Sequence, residues 1–117
     1  MRVHTKIWLE DDEGRLLVGE GRLKIFHAIA STGSMSAAAR ELGMSYRAVW
    51  GKIRTTEQRL GLSLVEGTAG GPKHGGAKLT DTAWEFLKCF ETLNEAATEA
   101  VQKLADEIVP DQFPSEG

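Results

Sequence analysis

The sequence predicts a mainly α-helical fold with a small β component, and three observations indicate it. Residues 33–61 read as a short helix, a tight turn and a second helix. A glycine-rich stretch at 67–76 lies between two short apolar segments, as in a projecting hairpin. Residues 81–108 repeat apolar positions in alternating steps of four and three, which is typical of a long packed helix. Together they predict a winged helix-turn-helix with an N-terminal β-hairpin and a long C-terminal helix.

The length of 117 residues fits a single domain with a modest core. We expect this domain to span residues 1–108, followed by a flexible tail at 109–117. Its parts are a hairpin at 1–20, the helix-turn-helix and wing at 21–80, and the long helix at 81–108. No apolar run approaches the roughly 20 residues that cross a bilayer, and the N-terminus lacks the apolar centre of a signal peptide. One cysteine allows no internal disulfide, so we expect a cytoplasmic protein.

Two short strands are predicted at the N-terminus, Val3–Leu9 and Leu16–Gly19, around an acidic turn at 10–14. An isolated hairpin is marginally stable in water, so it must pack either on the chain's own helices or on a partner subunit. A helix is then predicted over about residues 21–31. Its expected core face consists of Leu23, Phe26, Ile29 and Ala30.

Capping residues delimit the helix-turn-helix. Ser34 and Ser36 are candidate N-caps of the first helix, because a serine hydroxyl can accept a bond from an unpaired amide of the first turn. Three alanines follow, small enough for a second helix to approach closely. Gly43 is the expected residue where this helix ends in a left-handed conformation. Ser45 can cap the second helix, which is predicted to run to about Leu60.

The second helix has an apolar face and an aromatic-basic face. Arg47 can donate two hydrogen bonds to a guanine edge. Tyr46 or Trp50 can contact a thymine methyl or the sugar-phosphate backbone. For Trp50, packing beneath a neighbouring loop is an equally open interpretation. The core-facing positions are Val49, Ile53 and Leu60, with Thr56 and Glu57 at the margin.

A wing is predicted after the second helix, with strands beginning at Leu64 and at Ala77 and a glycine-rich basic tip between them. Lys73 and Lys78 are placed to reach phosphates. A phosphate-binding Walker loop is discounted, because Gly-Lys-Ser/Thr is absent and no helix begins directly after the glycines. A hairpin tip that makes no DNA contact stays open as the alternative.

The long helix is predicted to begin at Thr80 and Asp81 and to end about Ile108, before Pro110. A small domain can cover only part of its apolar seam, so we expect the remainder to pair with a second copy. Asn94 within the seam can fix the register of that pairing. The predicted dimerisation residues are Leu87, Phe90, Asn94, Ala97, Val101, Leu104 and Ile108.

Charge is distributed unevenly along the chain, although the formal net charge is only −3. Residues 21–80 hold nine Lys and Arg against three Asp and Glu, whereas residues 81–117 hold two against nine. A basic centre with acidic ends is expected when one part of a protein meets phosphates and the rest stays solvated.

These segments carry a family resemblance. Ser-Tyr-Arg-Ala-Val-Trp at 45–50, Leu-Val-Glu at 64–66, the glycine-rich run at 70–77 and Leu79-Thr80 resemble the N-terminal DNA-binding domain of ModE-type molybdate-responsive repressors. The similarity covers roughly residues 14–87 and extends more distantly to LysR-type regulators. It implies a winged helix-turn-helix that dimerises through its helices and binds a palindromic operator near molybdate-transport genes. The resemblance also implies that Ser45, Tyr46, Arg47 and Trp50 lie on the recognition helix, and Lys73 and His74 on the wing.

ModE-type proteins sense molybdate through C-terminal oxyanion-binding domains, and this sequence shows no counterpart of them. We therefore expect a stand-alone, ModE-like DNA-binding protein without a cofactor. Molybdate or tungstate transport or metabolism is the pathway that the resemblance implies, and direct binding of either anion stays open.

The sequence thus predicts a homodimeric, sequence-specific transcription regulator that binds double-stranded DNA. The alternative is an interaction module that pairs through its long helix with a full-length regulator, and it predicts hetero-association with weak, sequence-independent DNA binding. An enzyme is not expected, because the histidines and the cysteine show no metal-ligand spacing and no catalytic set is present. The predicted DNA-contacting residues are Ser36, Ser45, Tyr46, Arg47, Trp50, Lys52, Arg54, Lys73, His74 and Lys78.

Overall fold

The computed structural model describes residues 1–68 and 76–113, and this part of the chain is mostly helical with two small antiparallel hairpins. This architecture confirms the predicted fold class. In chain order the elements are β1 (Leu9–Glu10), β2 (Leu16–Val18), α1 (Glu20–Thr32), α2 (Met35–Leu42), α3 (Tyr46–Leu60), β3 (Val65–Gly67), β4 (Ala77–Leu79) and α4 (Asp81–Ile108).

The chain forms two compact units. One comprises Trp8–Leu87, and the other comprises Met1–Ile7 with Lys88–Gly117, of which the residues up to Phe113 are described. The first unit holds the helix-turn-helix and the wing around a single apolar core. That core consists of Ile25, Phe26, Ala28, Ile29, Met35, Ala38, Ala39, Val49, Ile53, Leu64, Val65, Ala77, Leu79, Ala83 and Leu87.

Helix α1 buries Ala28 where the sequence analysis expected Ala30, which is exposed. Each residue turns about 100° around a helix, so Ala30 lies beyond the stripe formed by Ile25, Phe26 and Ile29. Leu23 is only partly buried and packs against the core from its edge.

The N-terminal hairpin is much shorter than predicted. Leu9 pairs with Val18 and Glu10 with Leu16, with an irregular register between them. The turn is closed by Asp11, whose Oδ1 accepts hydrogen bonds from the amides of Glu13 and Arg15, both at 2.9 Å. Of the predicted strand Val3–Leu9, only Leu9 is paired in the hairpin, and that prediction was wrong for residues 3–8.

Residues 1–7 instead lie along α4 in the second unit. The Val3 amide donates to Gln102 Oε1 at 2.9 Å, and Gln102 Nε2 donates to the Met1 carbonyl at 3.1 Å. The hydroxyls of Thr5 and Thr98 are hydrogen-bonded at 3.0 Å. The backbone of this segment therefore finds partners on a helix of its own chain, which explains why it does not extend the hairpin.

The caps of the helix-turn-helix confirm the predicted boundaries. Ser34 Oγ accepts from the Ala37 amide at 3.1 Å, and Ser45 Oγ accepts from the Ala48 amide at 3.0 Å. Gly43 is left-handed at φ 67°, which a residue without a Cβ adopts readily. Ser36 does not cap α2, because it lies exposed within the first turn of that helix.

The wing strands pair in antiparallel register, with Val65 opposite Leu79 and Glu66 opposite Lys78. The Ala77 amide donates to the Gly33 carbonyl at 3.0 Å, so β4 is also bonded to the segment that enters α2. Both predicted strands are confirmed, and the wing is fastened to the helix-turn-helix by main-chain bonds.

Helix α4 runs without interruption over Asp81–Ile108, as predicted. Thr80 begins it, since its Oγ1 accepts from the Ala83 amide at 3.0 Å. Part of the apolar seam of α4 is buried within the chain, however, because Leu87 and Phe90 are each only 3% exposed. This burial within one chain leaves little of either side chain for a partner, and their role in dimerisation stays a prediction.

Candidate nucleic-acid interface

Helix α3 exposes a basic surface at its N-terminal half. Arg47, Lys52 and Arg54 are all exposed, whereas the one acidic residue of the helix, Glu57, is only partly exposed. Tyr46 stands beside them with 41% of its surface accessible. Tyr46, Arg47 and Arg54 lie within about 100° of one another around the helix axis and combine positive charge with an aromatic ring, whereas Lys52 is exposed on another side.

Three side chains on this surface form a stack along the helix, which we call the reading stack: Tyr46, Trp50 and Arg54. The rings of Tyr46 and Trp50 meet edge to face, with centroids 6.4 Å apart and planes inclined by 70°. Arg54 Cζ lies 4.8 Å from the centroid of the Trp50 ring, within the range of a cation–π contact. The spacing of four residues predicted that these side chains share one face of α3, whereas the contacts between them are seen only in the structure.

The surroundings of Trp50 support the packing interpretation, whereas its contact with DNA stays a prediction. Trp50 is half-buried and packs against the core cluster, and it also borders an open cavity of about 440 Å³ between α3 and the wing. The cavity is lined by Met35, Tyr46, Trp50, Arg54, Val65, Glu66, Gly67, Gly76 and Ala77. The indole therefore anchors α3 to the core with one part of its ring and presents another part to the surface.

On the wing, Lys78 lies on the exposed side of β4. Its Nζ is 3.6 Å from Glu66 Oε1, and both side chains are more than half exposed. An exposed pair of this kind contributes roughly 0–1 kcal/mol, so it leaves the ammonium able to exchange its partner for a phosphate. Lys73 and His74, the other predicted wing contacts, lie outside the described residues.

The C-terminal half of α3 is fixed by polar bonds to the N-terminal hairpin. Arg59 Nη1 donates to the Leu16 carbonyl at 2.6 Å, and Thr56 Oγ1 donates to the Leu17 carbonyl at 3.2 Å. Arg22 Nε in turn donates to Thr56 Oγ1 at 2.9 Å. Partial burial lowers the pKa of Arg22 from its ordinary value, and the nearby charge of Arg59 lowers it further.

The sequence analysis placed Thr56 at the margin of the core, whereas the structure buries it to 1% exposure. Burial is possible because its hydroxyl both donates and accepts a hydrogen bond. These hydrogen bonds connect the C-terminal half of α3 to α1 and to the N-terminal hairpin.

Gly51 is a feature of the interface that sequence reasoning missed. It lies one turn after Arg47 on α3 and is exposed. Outside the backbone of its own helix, a Cβ added there meets no atom within 4 Å, so packing does not require glycine. A glycine inside a helix lowers stability by up to about 1 kcal/mol relative to alanine. A glycine in the middle of a predicted helix was therefore the signal in the sequence that this position has another role.

Other kinds of site find no support in the part of the chain that the structure describes. Residues 1–68 and 76–113 contain no group of three or more His, Cys, Asp or Glu side chains able to hold a metal ion. Over the same residues, no helix is both long and apolar enough to cross a membrane.

Residues 21–83 match the family model described as the bacterial regulatory helix-turn-helix protein, lysR family. The matched span includes α2, α3 and both wing strands. In the solved structures, the chain is similar to the DNA-binding domain of CbnR in a complex with DNA, with a TM-score of 0.55 and 29% identity over 74% of this chain and 94% of that one. It is also similar to CbnR, a LysR family transcriptional regulator, with a TM-score of 0.53, 30% identity and coverage of 73% and 28%.

Several curated relatives concern molybdenum. The chain is 34% identical over 84 residues to the molybdenum-pterin-binding protein MopA of Rhodobacter capsulatus, covering 72% of this chain and 32% of that protein. It is 29% identical over 107 residues to the molybdenum transport protein ModE of Azotobacter vinelandii, covering 92% and 39%. It is 30% identical over 93 residues to the DNA-binding transcriptional dual regulator ModE of Escherichia coli K12, covering 80% and 36%. The chain therefore spans about a third of the length of these relatives.

Proposed function

This chain belongs to the lysR family of bacterial regulatory helix-turn-helix proteins, and from that membership we propose that it is a sequence-specific DNA-binding regulator of transcription. The observation that carries the proposal is the exposed aromatic-basic surface of α3 beside the wing. An α-helix fits the major groove of B-form DNA, and this surface is the part of α3 that is free to enter it.

Within the groove, Arg47 is proposed to read a base. Arg47 is exposed in the first turn of α3, and two N–H groups of its guanidinium match the acceptors on a guanine edge. Tyr46 and Trp50 supply apolar edges for a thymine methyl or a deoxyribose. Ser36, Ser45, Lys52 and Arg54 flank this set and are proposed to bind phosphates, which fix position without reading sequence.

The wing is proposed to bind the neighbouring DNA backbone. Lys78 supports this role, because it is exposed on β4 and engaged only in a surface ion pair. Lys73 and His74 keep the same proposed role from the sequence.

We propose that the second half of α4 pairs with a second copy of the chain. Leu104 and Ile108 are 50% and 71% exposed, and Leu93 is 46% exposed, which is unusual for large apolar side chains on one helix. The proposed face consists of Asn94, Ala97, Val101, Leu104 and Ile108, with Leu93 at its edge. A twofold dimer places two recognition helices on the two halves of a palindromic operator.

The regulated genes are proposed to serve molybdate or tungstate transport or metabolism, because the relatives named above concern molybdenum. No cofactor is proposed for the described residues, and the protein is proposed to act in the cytoplasm. The exposed face of α4 also supports the alternative function, a module that pairs with a full-length regulator.

Recovery of bound fragments from genomic DNA by the purified protein tests the proposal, followed by titration of the best site with and without molybdate and tungstate. A palindromic motif upstream of oxyanion-transport genes is the expected result. Recovery of no motif, with only weak salt-sensitive binding, would favour the interaction module. Sedimentation of the free protein provides the second measurement, and a monomer at micromolar concentration would contradict the homodimer.

A further inference from the structure

Glu57 lies where the recognition helix meets the start of the wing. One carboxylate oxygen, Oε2, accepts hydrogen bonds from the amides of Leu64 at 2.8 Å and Val65 at 3.2 Å. The other, Oε1, is 3.6 Å from Arg54 Nη1. The Glu57 side chain is only 10% exposed, so both sets of contacts are made by a carboxylate that is largely shielded from water.

The two amide bonds give this carboxylate a fixed position. Charge-assisted bonds to backbone N–H groups are stronger than neutral ones, and the shielded site weakens competition from water. Arg54, by contrast, is 67% exposed and would sample many rotamers if nothing held it. The fixed negative charge on one side and the Trp50 ring on the other therefore select one orientation of the guanidinium.

Arg54 in turn limits the Trp50 ring. The guanidinium covers one face of the indole at 4.8 Å, while Tyr46 meets the ring edge to face at 6.4 Å. The indole is thus held between two side chains of the same helix face. We infer that Glu57 is a positioning residue for DNA recognition: acting through Arg54, it sets the orientation in which Trp50 and Tyr46 are presented to a base edge.

This inference rests on the proposed function, because it assigns a role within the surface proposed to read DNA. It adds a residue that does not itself reach the DNA surface. It also connects the reading stack to the wing, since the amides of Leu64 and Val65 belong to the segment that enters β3.

Glu57→Gln separates positioning from folding. The amide oxygen of glutamine still accepts from Leu64 and Val65, whereas the charge that attracts Arg54 is removed. Arg54→Met removes the guanidinium that pairs with Glu57 and keeps an unbranched apolar side chain over Trp50. The matched control is Glu20→Gln, because Glu20 forms an ion pair with Lys24 at the same 3.6 Å on α1.

Operator binding is measured for these variants and for the Glu57→Gln/Arg54→Met double variant. An exposed cation–π contact is worth enough to change affinity about two- to fivefold, and this is the loss expected for Glu57→Gln at the selected operator. In Glu57→Gln, base preference should flatten at one position of each half-site, while affinity for unrelated DNA and the salt slope stay unchanged. Arg54→Met should in addition weaken binding to all sequences, because Arg54 is also proposed to bind a phosphate. The double variant should be no weaker than Arg54→Met alone, because both residues act through one contact.

A second measurement is independent of DNA. On a Trp8→Phe/Trp84→Phe background, Trp50 is the single tryptophan, and the two replaced rings are each about half exposed. Near-ultraviolet circular dichroism then reports the surroundings of Trp50. Glu57→Gln and Arg54→Met should change this band in the same way, whereas Glu20→Gln should leave it as it is. Glu57→Gln should also lower the melting temperature, because neutral bonds replace the charge-assisted ones to Leu64 and Val65, so the band is compared at temperatures where each variant is folded.

An unchanged Trp50 band in Arg54→Met overturns the inference even if Glu57→Gln does not fold. So do losses that multiply in the double variant, or a loss in Glu57→Gln that is equal on operator and unrelated DNA. If the wild type recovers a motif and Glu57→Gln binds it equally well, the inference fails and the proposed function stands. If the wild type recovers no motif, the proposed function fails and the inference fails with it.

Discussion

Replacing Gly51 with alanine should stabilise the protein and weaken its binding to DNA. Gly51 lies inside α3, and outside its own helix an added Cβ meets no atom within 4 Å. Alanine exceeds glycine in helix propensity by about 0.8–1.0 kcal/mol, so the free energy of unfolding should rise by nearly that amount. For a domain of this size, this corresponds to a rise in melting temperature of roughly 4–6 °C.

The effect on DNA has the opposite sign. Gly51 follows Arg47 by one helical turn, so we expect the missing side chain to let DNA approach the helix backbone there. Adding a methyl group to a close-packed contact costs about 1–3 kcal/mol, which weakens operator affinity by a factor of roughly 5 to 150. Thermal unfolding and fluorescence anisotropy with a labelled operator measure the two effects on the same preparation.

Gly21→Ala is the matched control, since Gly21 is also a helical glycine with no atom within 4 Å of an added Cβ, but lies in the first turn of α1. It should raise the melting temperature slightly and leave operator affinity unchanged. Wild-type operator affinity in Gly51→Ala would refute the close approach of DNA at this position. An unchanged or lower melting temperature would refute the statement that nothing in the fold requires glycine there.

Two further changes test the interface, two compare the proposed dimer face with the core, and a fifth tests the hairpin. Arg47→Ala should cost roughly 1–3 kcal/mol of operator binding and relax base preference at one position per half-site; an unchanged sequence profile would exclude Arg47 from base reading. Lys78→Ala should weaken binding to all sequences and make the salt dependence shallower, whereas an unchanged slope would mean that Lys78 touches no phosphate. Leu104→Glu should give a folded monomer in sedimentation, and a folded dimer would contradict the proposed face; Leu87→Glu should unfold the protein, because Leu87 is buried in the core. The pKa of Asp11 lies below its ordinary value, chiefly because the Arg15 amide donates to its carboxylate. The resulting stabilisation is present above about pH 4 and is lost as the pH falls through the folded pKa. Asp11→Asn should therefore flatten the acid side of the stability profile, and an unaltered profile in acid titration would contradict this assignment.

Local signals predicted the helix-turn-helix well. Ser34 and Ser45 each accept a hydrogen bond from an amide three residues later, and Gly43 and Gly61 are left-handed at the helix ends. Such caps depend on neighbours within one turn, so the residue types that form them can be recognised without knowing the fold.

The N-terminal segment shows where local reasoning fails. Alternating apolar residues over Val3–Leu9 indicated a strand, but the chain bonds the Val3 amide to Gln102, 99 residues away. Alternation identifies a segment that needs extended backbone, and it does not identify which element supplies the hydrogen bonds.

The sequence by itself determined the element order, the caps and the aromatic-basic face of α3, because each follows from helical geometry and from bonds between near neighbours. Only the tertiary structure decided that Thr56 and Leu87 are buried and that Trp50 lies between the core and the surface. It also decided that Glu57 joins the reading stack to the start of the wing. Burial and long-range hydrogen bonds depend on which elements come together, and this depends on how all side chains of the core pack and not on any one segment.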